Sequence, residues 1–265
     1  MSRPLHLALA QFKPRKGNYA ANLDRIGRVL AQAAALDPRP DVVQLPETAL
    51  TGYFVEGAVR DLAVTAGTLA RDLNAAYLHA APGGGPLDVV VGFYETWQST
   101  LHNSAMYVTL AAPDGDDAPA PVIRHVHRKH FLPTYGLFDE ERFVERGFDI
   151  RAFDAPWGRA AMLVCEDAWH SLTGTIAALD GAQVVFVCAA APARGTTTGR
   201  RCRACGTCTA STSSRRTASS TRSASWSAVT TCAPSTRRGG VPPCSCARTP
   251  GTASPARCSP STGRR

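Results

Sequence analysis

Acidic residues are absent from the last 70 positions of this 265-residue chain, and so are Leu, Ile, Met, Phe, Tyr and Lys. Only Val229, Val241 and Trp226 are large apolar groups there, which excludes a packed core built from that segment alone. Residues 1–195 hold 17 Lys and Arg against all 21 Asp and Glu, whereas residues 196–265 hold 12 Arg, so the net charge of +8 joins two unlike pieces. Cysteine is scarce where the composition is ordinary: Cys165 and Cys188 are the only two of nine within residues 1–195. That rules out a disulfide framework and makes a reducing cytosol the expected location. The first residues contain no apolar stretch clear of charge, and nowhere do 18 apolar residues run together, so neither a signal peptide nor a membrane span is expected. Internal repeats and a phosphate-cradling glycine motif are also missing, and "PGGGP" at 82–86 reads as a flexible turn.

What is present in residues 1–195 has the rhythm of an α/β layer fold. Leu5, Leu7 and Leu9 alternate with His6, Ala8 and Ala10, which predicts a first strand. Leu23, Ile26, Leu30 and Ala33 recur at helical spacing, and Asp37-Pro38 ends that helix. Further strands are expected in "DVVQL" (41–45), "DVVVGF" (88–93), "SAMYVTL" (104–110), "VIRHVH" (122–127), "AAMLVC" (160–165) and "QVVFVC" (183–188). Helical patterns lie near 57–74 and 171–180. Several neighbouring strands have no helix between them, which predicts a mixed sheet.

Three reactive groups fall beside strand ends: Glu47 in "QLPETALTGY", Lys129 in "HRKHFLPTYGLFDEERF" and Cys165 in "VCEDAW". A carboxylate, an ammonium and a thiol can thereby meet at one sheet edge, where a nearby cation or base would turn the thiol into a nucleophile. Taken singly, each has a plainer reading as a cap, a solvated charge or an inert core thiol. A papain-like pair of Cys165 with His125, His127, His130 or His170 is a further alternative. Zinc binding by these histidines lacks further ligands at suitable spacing.

Together, "LPETALTGY", "RKHFLPTYGLFDEERF" and "CEDAW" resemble the nitrilase, or carbon–nitrogen hydrolase, superfamily, over about residues 5–195. The "LPTYGLFDEERF" and "CEDAW" wording is similar to the glutaminase domains of glutamine-dependent NAD synthetases and to related stand-alone amidases. The resemblance implies a four-layer α-β-β-α sandwich, assembly into a homo-oligomer, and hydrolysis of a small amide or nitrile through a Cys165 thioester. It assigns Glu47 as acid and base, and Lys129 with the backbone N–H of Glu166 as oxyanion donors. Glu140 matches a family residue that orients Lys129, although membership of a solvated Asp139-Glu140-Glu141 cluster is an equal alternative. Tyr53, Tyr135 and Trp169 flank the motifs as candidate pocket walls. No cofactor is expected. A glutaminase feeding ammonia to a separate synthetase is the rival reading, and the lack of a following ATP-binding domain favours a stand-alone amidase.

The cysteines of "CRACGTC" (202–208) and the arginines around them suggest metal or nucleic acid. Without His, acidic or interleaved aromatic residues, neither a zinc module nor a specific RNA site is expected. A shifted reading frame fits better. With TCN serine codons, Cys244, Cys246 and Cys258 shift to Leu, Val or Met, and 241–265 becomes two apolar stretches around a polar turn. The expectation is a catalytic domain at 1–195 and an aberrant or disordered segment at 196–265, introduced by a frame change near 195–200. An inactive product whose basic tail merely binds polyanions is the corresponding alternative.

Overall fold

The computed structural model describes residues 4–114, 117–134 and 139–190 and the backbone of 225–232. Chain order runs β1 (Leu5–Gln11), α1 (Tyr19–Ala34), β2 (Val42–Gln44), α2 (Val59–Leu62), α3 (Ala66–Ala80), β3 (Leu87–Trp97), β4 (Thr100–Asp114) and β5 (Asp117–Arg128). It continues with β6 (Ala152–Ala155), β7 (Gly158–Val164), α4 (Ser171–Leu179), β8 (Val184–Cys188) and β9 (Ser225–Cys232). Six strands form one mixed sheet in the order β5-β4-β3-β2-β1-β9, and three form a second in the order β6-β7-β8. β1, β2 and β3 are mutually parallel, as are β7 and β8.

Side-chain alternation builds the layers. Ala8 and Ala10 of β1, Val89 and Val91 of β3, and Met106 and Val108 of β4 face α1 and α3, packing on Ile26, Leu30, Leu69 and Leu73. Leu5, Leu7, Val90 and Tyr107 face the other way and meet Met162, Val164, Val184 and Phe186 of the second sheet. Ala161, Leu163 and Val185 close against Ala177 of α4. The result is helix, sheet, sheet, helix, the four-layer sandwich expected from the motifs. Each fully buried Leu or Val in these layers is worth about 1.5–3 kcal/mol relative to exposure.

The helices start where capping side chains allow. Asn18 accepts from Ala21 N at 3.0 Å to open α1, and Thr65 accepts from Thr68 N at 3.1 Å to open α3. Gly27 lets α1 approach α3 closely, because a Cβ there would lie 2.6 Å from the Ala76 carbonyl oxygen. The helical pattern near 57–74 proves to be two helices. Between them Val64 N bonds to Tyr94 O and Thr96 N to Val64 O, so pairing with β3 outweighs local helix propensity. β6 was not anticipated; four residues are too few to show a period.

Part of the basic segment also joins the fold. β9 pairs antiparallel with β1, from Leu5↔Cys232 to Gln11↔Ser225. "SWSAVTTC" carries Val229, Thr230 and Thr231, which favour extended backbone, and the edge of β1 offers unpaired backbone groups for it to pair with. The rest of 196–265 lies outside the described residues.

Candidate active site

The segments leaving the carboxyl ends of β2, β5, β7 and β8 converge at one place, and strand carboxyl ends are where open α/β folds gather their ligand-binding groups. Gln44 ties the sheets there, its Nε2 donating to Val187 O at 2.6 Å.

Glu47 rides on a turn bound along β3. Leu45 N donates to Val90 O and Ala49 N to Gly92 O, both at 2.8 Å. Gly92 makes this possible, since a Cβ would stand 2.6 Å from Glu47 Cα. The next residue, Thr48, has φ 48°, and Cys165, the first residue after β7, has φ 43°. Such non-glycine left-handed residues cost on the order of 1–3 kcal/mol and persist only where the surroundings hold them, so both turns are strained next to the chemistry.

The site is closely connected. Lys129 Nζ lies 3.2 Å from Glu47 Oε1 and 2.8 Å from Glu140 Oε2, and the Lys129 side chain is fully buried. Asn103 Nδ2 donates to Glu47 Oε1 at 2.8 Å and to Glu140 Oε1 at 3.2 Å. Glu47 Oε2 accepts from Ala190 N at 2.9 Å, and the Cys165 thiol hydrogen-bonds to Glu47. Tyr53 hydrogen-bonds to Glu140, and its ring lies under Lys129 Nζ at 5.9 Å. Glu140 thus leaves the acidic cluster: it is buried, while Asp139 pairs with Arg142 and Glu141 with Arg146 at the surface.

Burial would lower the Lys129 pKa, but Glu47 and Glu140 outweigh it and hold the ammonium protonated. Burial raises the Glu140 carboxyl, with Lys129 opposing and Glu47 adding to the rise. The thiol of Cys165 is pushed up to about 12, chiefly by burial and by the charge of Glu47, against the pull of Lys129. Lys129 does lower it, as expected of a nearby cation, but burial and the carboxylates outweigh that pull. The resting sulfur is a neutral thiol, and nucleophilic attack requires the proton to leave for a base as the bond forms.

A second knot joins the cysteine turn to the lysine strand. The carboxylate of Asp167 accepts from His127 Nε2 at 2.8 Å, Val164 N at 3.0 Å, His130 N at 3.0 Å and Phe131 N at 2.9 Å. Thr173 Oγ1 donates to Asp167 O at 2.7 Å and carries the link into α4. The histidines once considered as partners for Cys165 are engaged elsewhere. His130 Nδ1 pairs with Gly147 O, His125 stacks on Phe153 and His170 on Phe131.

Among the predicted site residues, Glu47, Lys129, Glu140, Cys165 and Tyr53 come together. Glu166 directly follows Cys165, its side chain 3.8 Å from His170. Trp169 is 80% exposed rather than enclosed, and Tyr135 lies outside the described residues. Asn103, Asp167 and Ala190 N were missed. Asn103 stands in "LHNSAMYV" near the start of β4, between the polar residues His102 and Ser104, so nothing local singles it out. A backbone N–H leaves no signal in sequence. Among the described residues no group of three or more His, Cys, Asp or Glu could hold a metal ion, and no helix is long and apolar enough to cross a membrane.

A sequence model of the carbon-nitrogen hydrolase family matches residues 6–223, and the chain belongs to that family of hydrolytic enzymes. It is 33% identical over 194 residues to the glutamine-dependent NAD(+) synthetase of Xylella fastidiosa, covering 72% of this chain and 33% of that protein. Among solved structures, the glutamine-dependent NAD+ synthetase from Acinetobacter baumannii, in complex with adenosine diphosphate, is 25% identical with a TM-score of 0.56, covering 72% of this chain and 33% of that one. A Saccharomyces cerevisiae member of branch 10 of the nitrilase superfamily shares the fold at a TM-score of 0.58 and 19% identity, over 73% of this chain and 67% of that one. The chain spans about a third of the length of the synthetases it matches.

Proposed function

We propose that the chain hydrolyses the carbon–nitrogen bond of a small amide through a thioester on Cys165. One observation carries the reading: a single carboxylate, Glu47, is bonded both to the Cys165 thiol and to the buried ammonium of Lys129. Glu47 takes the thiol proton as the sulfur attacks the amide carbon. Two protons of Lys129 Nζ face Glu47 and Glu140, and its third, with the N–H of Glu166, meets the developing oxyanion. The carbon–nitrogen bond breaks as Glu47 returns the proton to nitrogen, and ammonia or an amine leaves. A water then gives its proton to Glu47 and its oxygen to the acyl carbon, and the proton passes back to sulfur as the acid departs.

The synthetase relatives favour glutamine as the amide, which makes the chain an ammonia source for a separate synthetase. Homo-oligomeric assembly and a cytosolic setting belong to the same proposal, the latter supported by the free thiols of Cys165 and Cys188. So does the division into a catalytic unit at 1–195 and a frame-changed segment at 196–265. Sequencing the coding DNA across codons 185–210 tests that division, and an intact, confirmed frame contradicts it. The functional test is ammonia release from glutamine and from short aliphatic amides, with Cys165→Ala as control. Release from aliphatic amides alone selects a stand-alone amidase, release from glutamine selects a glutaminase, and release from none of them by the wild type overturns the proposal.

A further inference from the structure

We infer that Asn103 is the positioning residue of this site, a neutral double donor that holds the two carboxylates apart around Lys129 so that Glu47 stays turned toward Cys165. The inference rests on Glu47 acting as the proton carrier. Asn103 is completely buried in β4 and touches both carboxylates: its Nδ2 bonds Glu47 Oε1 and Glu140 Oε1, while its backbone carbonyl accepts from the backbone N–H of Lys129 at 2.8 Å and fixes the two residues side by side. An amide nitrogen carries two protons, and here each has one carboxylate.

The chemistry calls for such a group. Two buried carboxylates sharing one ammonium repel each other, and like charges so placed tend to capture a proton. Lys129 gives one proton to each carboxylate and its third to the oxyanion, and a shared cation draws the two carboxylates together rather than holding them apart. Asn103 does not titrate, so its bonds persist whether Glu47 is ionised or carries the proton of Cys165. The charged and titratable groups facing Glu47 are Lys129 after β5, Glu140 on the loop before β6, Cys165 after β7, Cys188 at the end of β8, Tyr94 on β3 and Tyr53. The thiols, phenols and ammonium are all held above their ordinary ranges, which leaves the carboxylates to shape the acidic side of a rate profile.

The test uses the full chain with Asn103→Leu, close in volume but without donors, and Asn103→Asp, close in shape but with an oxygen in place of the donor nitrogen. The acidic limb of kcat/KM is expected to move up by about one pH unit in Asn103→Leu, the worth of a hydrogen bond to an ionised group, and further in Asn103→Asp. kcat should fall about 10–100-fold with KM within about threefold, because the group acts on the proton carrier rather than on substrate binding. Iodoacetamide alkylation of Cys165 against pH reads the same limb without a substrate. If the wild type hydrolyses amides and the limb stays put in both variants, the inference is overturned while the proposed function stands. If no amide is hydrolysed but the alkylation limb moves, the inference stands without that function. Should Asn103→Leu fail to fold, Asn103→Asp decides alone. A shift that disappears when Glu140→Gln is added assigns the limb to Glu140 and overturns the inference.

Discussion

Lys129 Nζ and Glu47 Oε1 meet 3.2 Å apart with both side chains wholly out of water. Three charged side chains, counting Glu140, thus neutralise one another only in part. Removing one partner of a buried pair leaves an uncompensated charge and costs about 3–5 kcal/mol. Lys129→Met is therefore expected to lower stability by about that amount and to abolish hydrolysis. Chemical denaturation beside the ammonia assay checks both, and a stable, active variant would contradict the role of Lys129.

Glu47→Gln is not an innocent substitution. One carboxylate oxygen accepts from Lys129 and Asn103 and the other from Ala190 N, so an amide must turn its NH2 against a donor whichever way it faces. The expected result is a loss of about 1–3 kcal/mol in stability from the unpaired donors. kcat should fall by about 10²–10⁴-fold from the missing base. Denaturation midpoints and steady-state rates separate the two effects.

Gly92 is predicted to act on activity through packing. Asn, Leu or even Ala at this position would press on the backbone of Pro46, Glu47 and Thr48, all within 3 Å of the added Cβ. Gly92→Ala should cost about 1–3 kcal/mol and reduce turnover by displacing Glu47. Gly67→Ala in α3, where a Cβ meets nothing within 4 Å, should instead stabilise by about 0.4–1 kcal/mol and leave turnover alone. Thermal unfolding with the ammonia assay tests the contrast, and equal effects at both positions would refute it.

Acid should destabilise the chain in two stages. Burial lowers the His125 pKa to about 4, with His127 and nearby arginines adding to it, so the folded state keeps this ring neutral. Its contribution is complete above the unfolded value near 6.5 and fades as pH falls toward 4. Asp167 has the opposite charge and a lower window. Burial raises its carboxyl, but the N–H groups of His127, Phe131 and Val164 outweigh this and hold it below the usual carboxylate range. Its stabilisation is complete above about 4 and is lost as pH falls through the depressed folded value. Unfolding midpoints at pH 7, 5 and 3 should show both steps, and Asp167→Asn should flatten the lower one.

Much of the fold was legible because apolar periodicity survives in β1, β3, β7 and β8, and because α1 presents Ile26, Val29, Leu30 and Ala33 on one face. The break at Ala63-Val64 was not, since it is decided by pairing with a strand 30 residues away rather than by local propensity. Glu47, Lys129 and Cys165 could be named from their motifs. Glu140 could not be separated from Asp139 and Glu141, because which of three adjacent acids turns inward depends on where Lys129 ends. Asn103 and Asp167 escaped notice for a related reason. Each earns its role from several partners distant in sequence, and a single polar residue gives no sign of them. The high thiol value of Cys165 likewise comes from burial combined with two carboxylates, which only the assembled site displays.

Intact-protein mass spectrometry tests the central claim most directly. The chain is incubated with glutamine, short aliphatic amides and a thiol-directed electrophile, beside Cys165→Ala. An acyl or electrophile adduct of one equivalent on the wild type, lost in the variant, is the predicted result. Scattered labelling of many cysteines, unchanged by Cys165→Ala, would contradict an assembled Glu47–Lys129–Cys165 site.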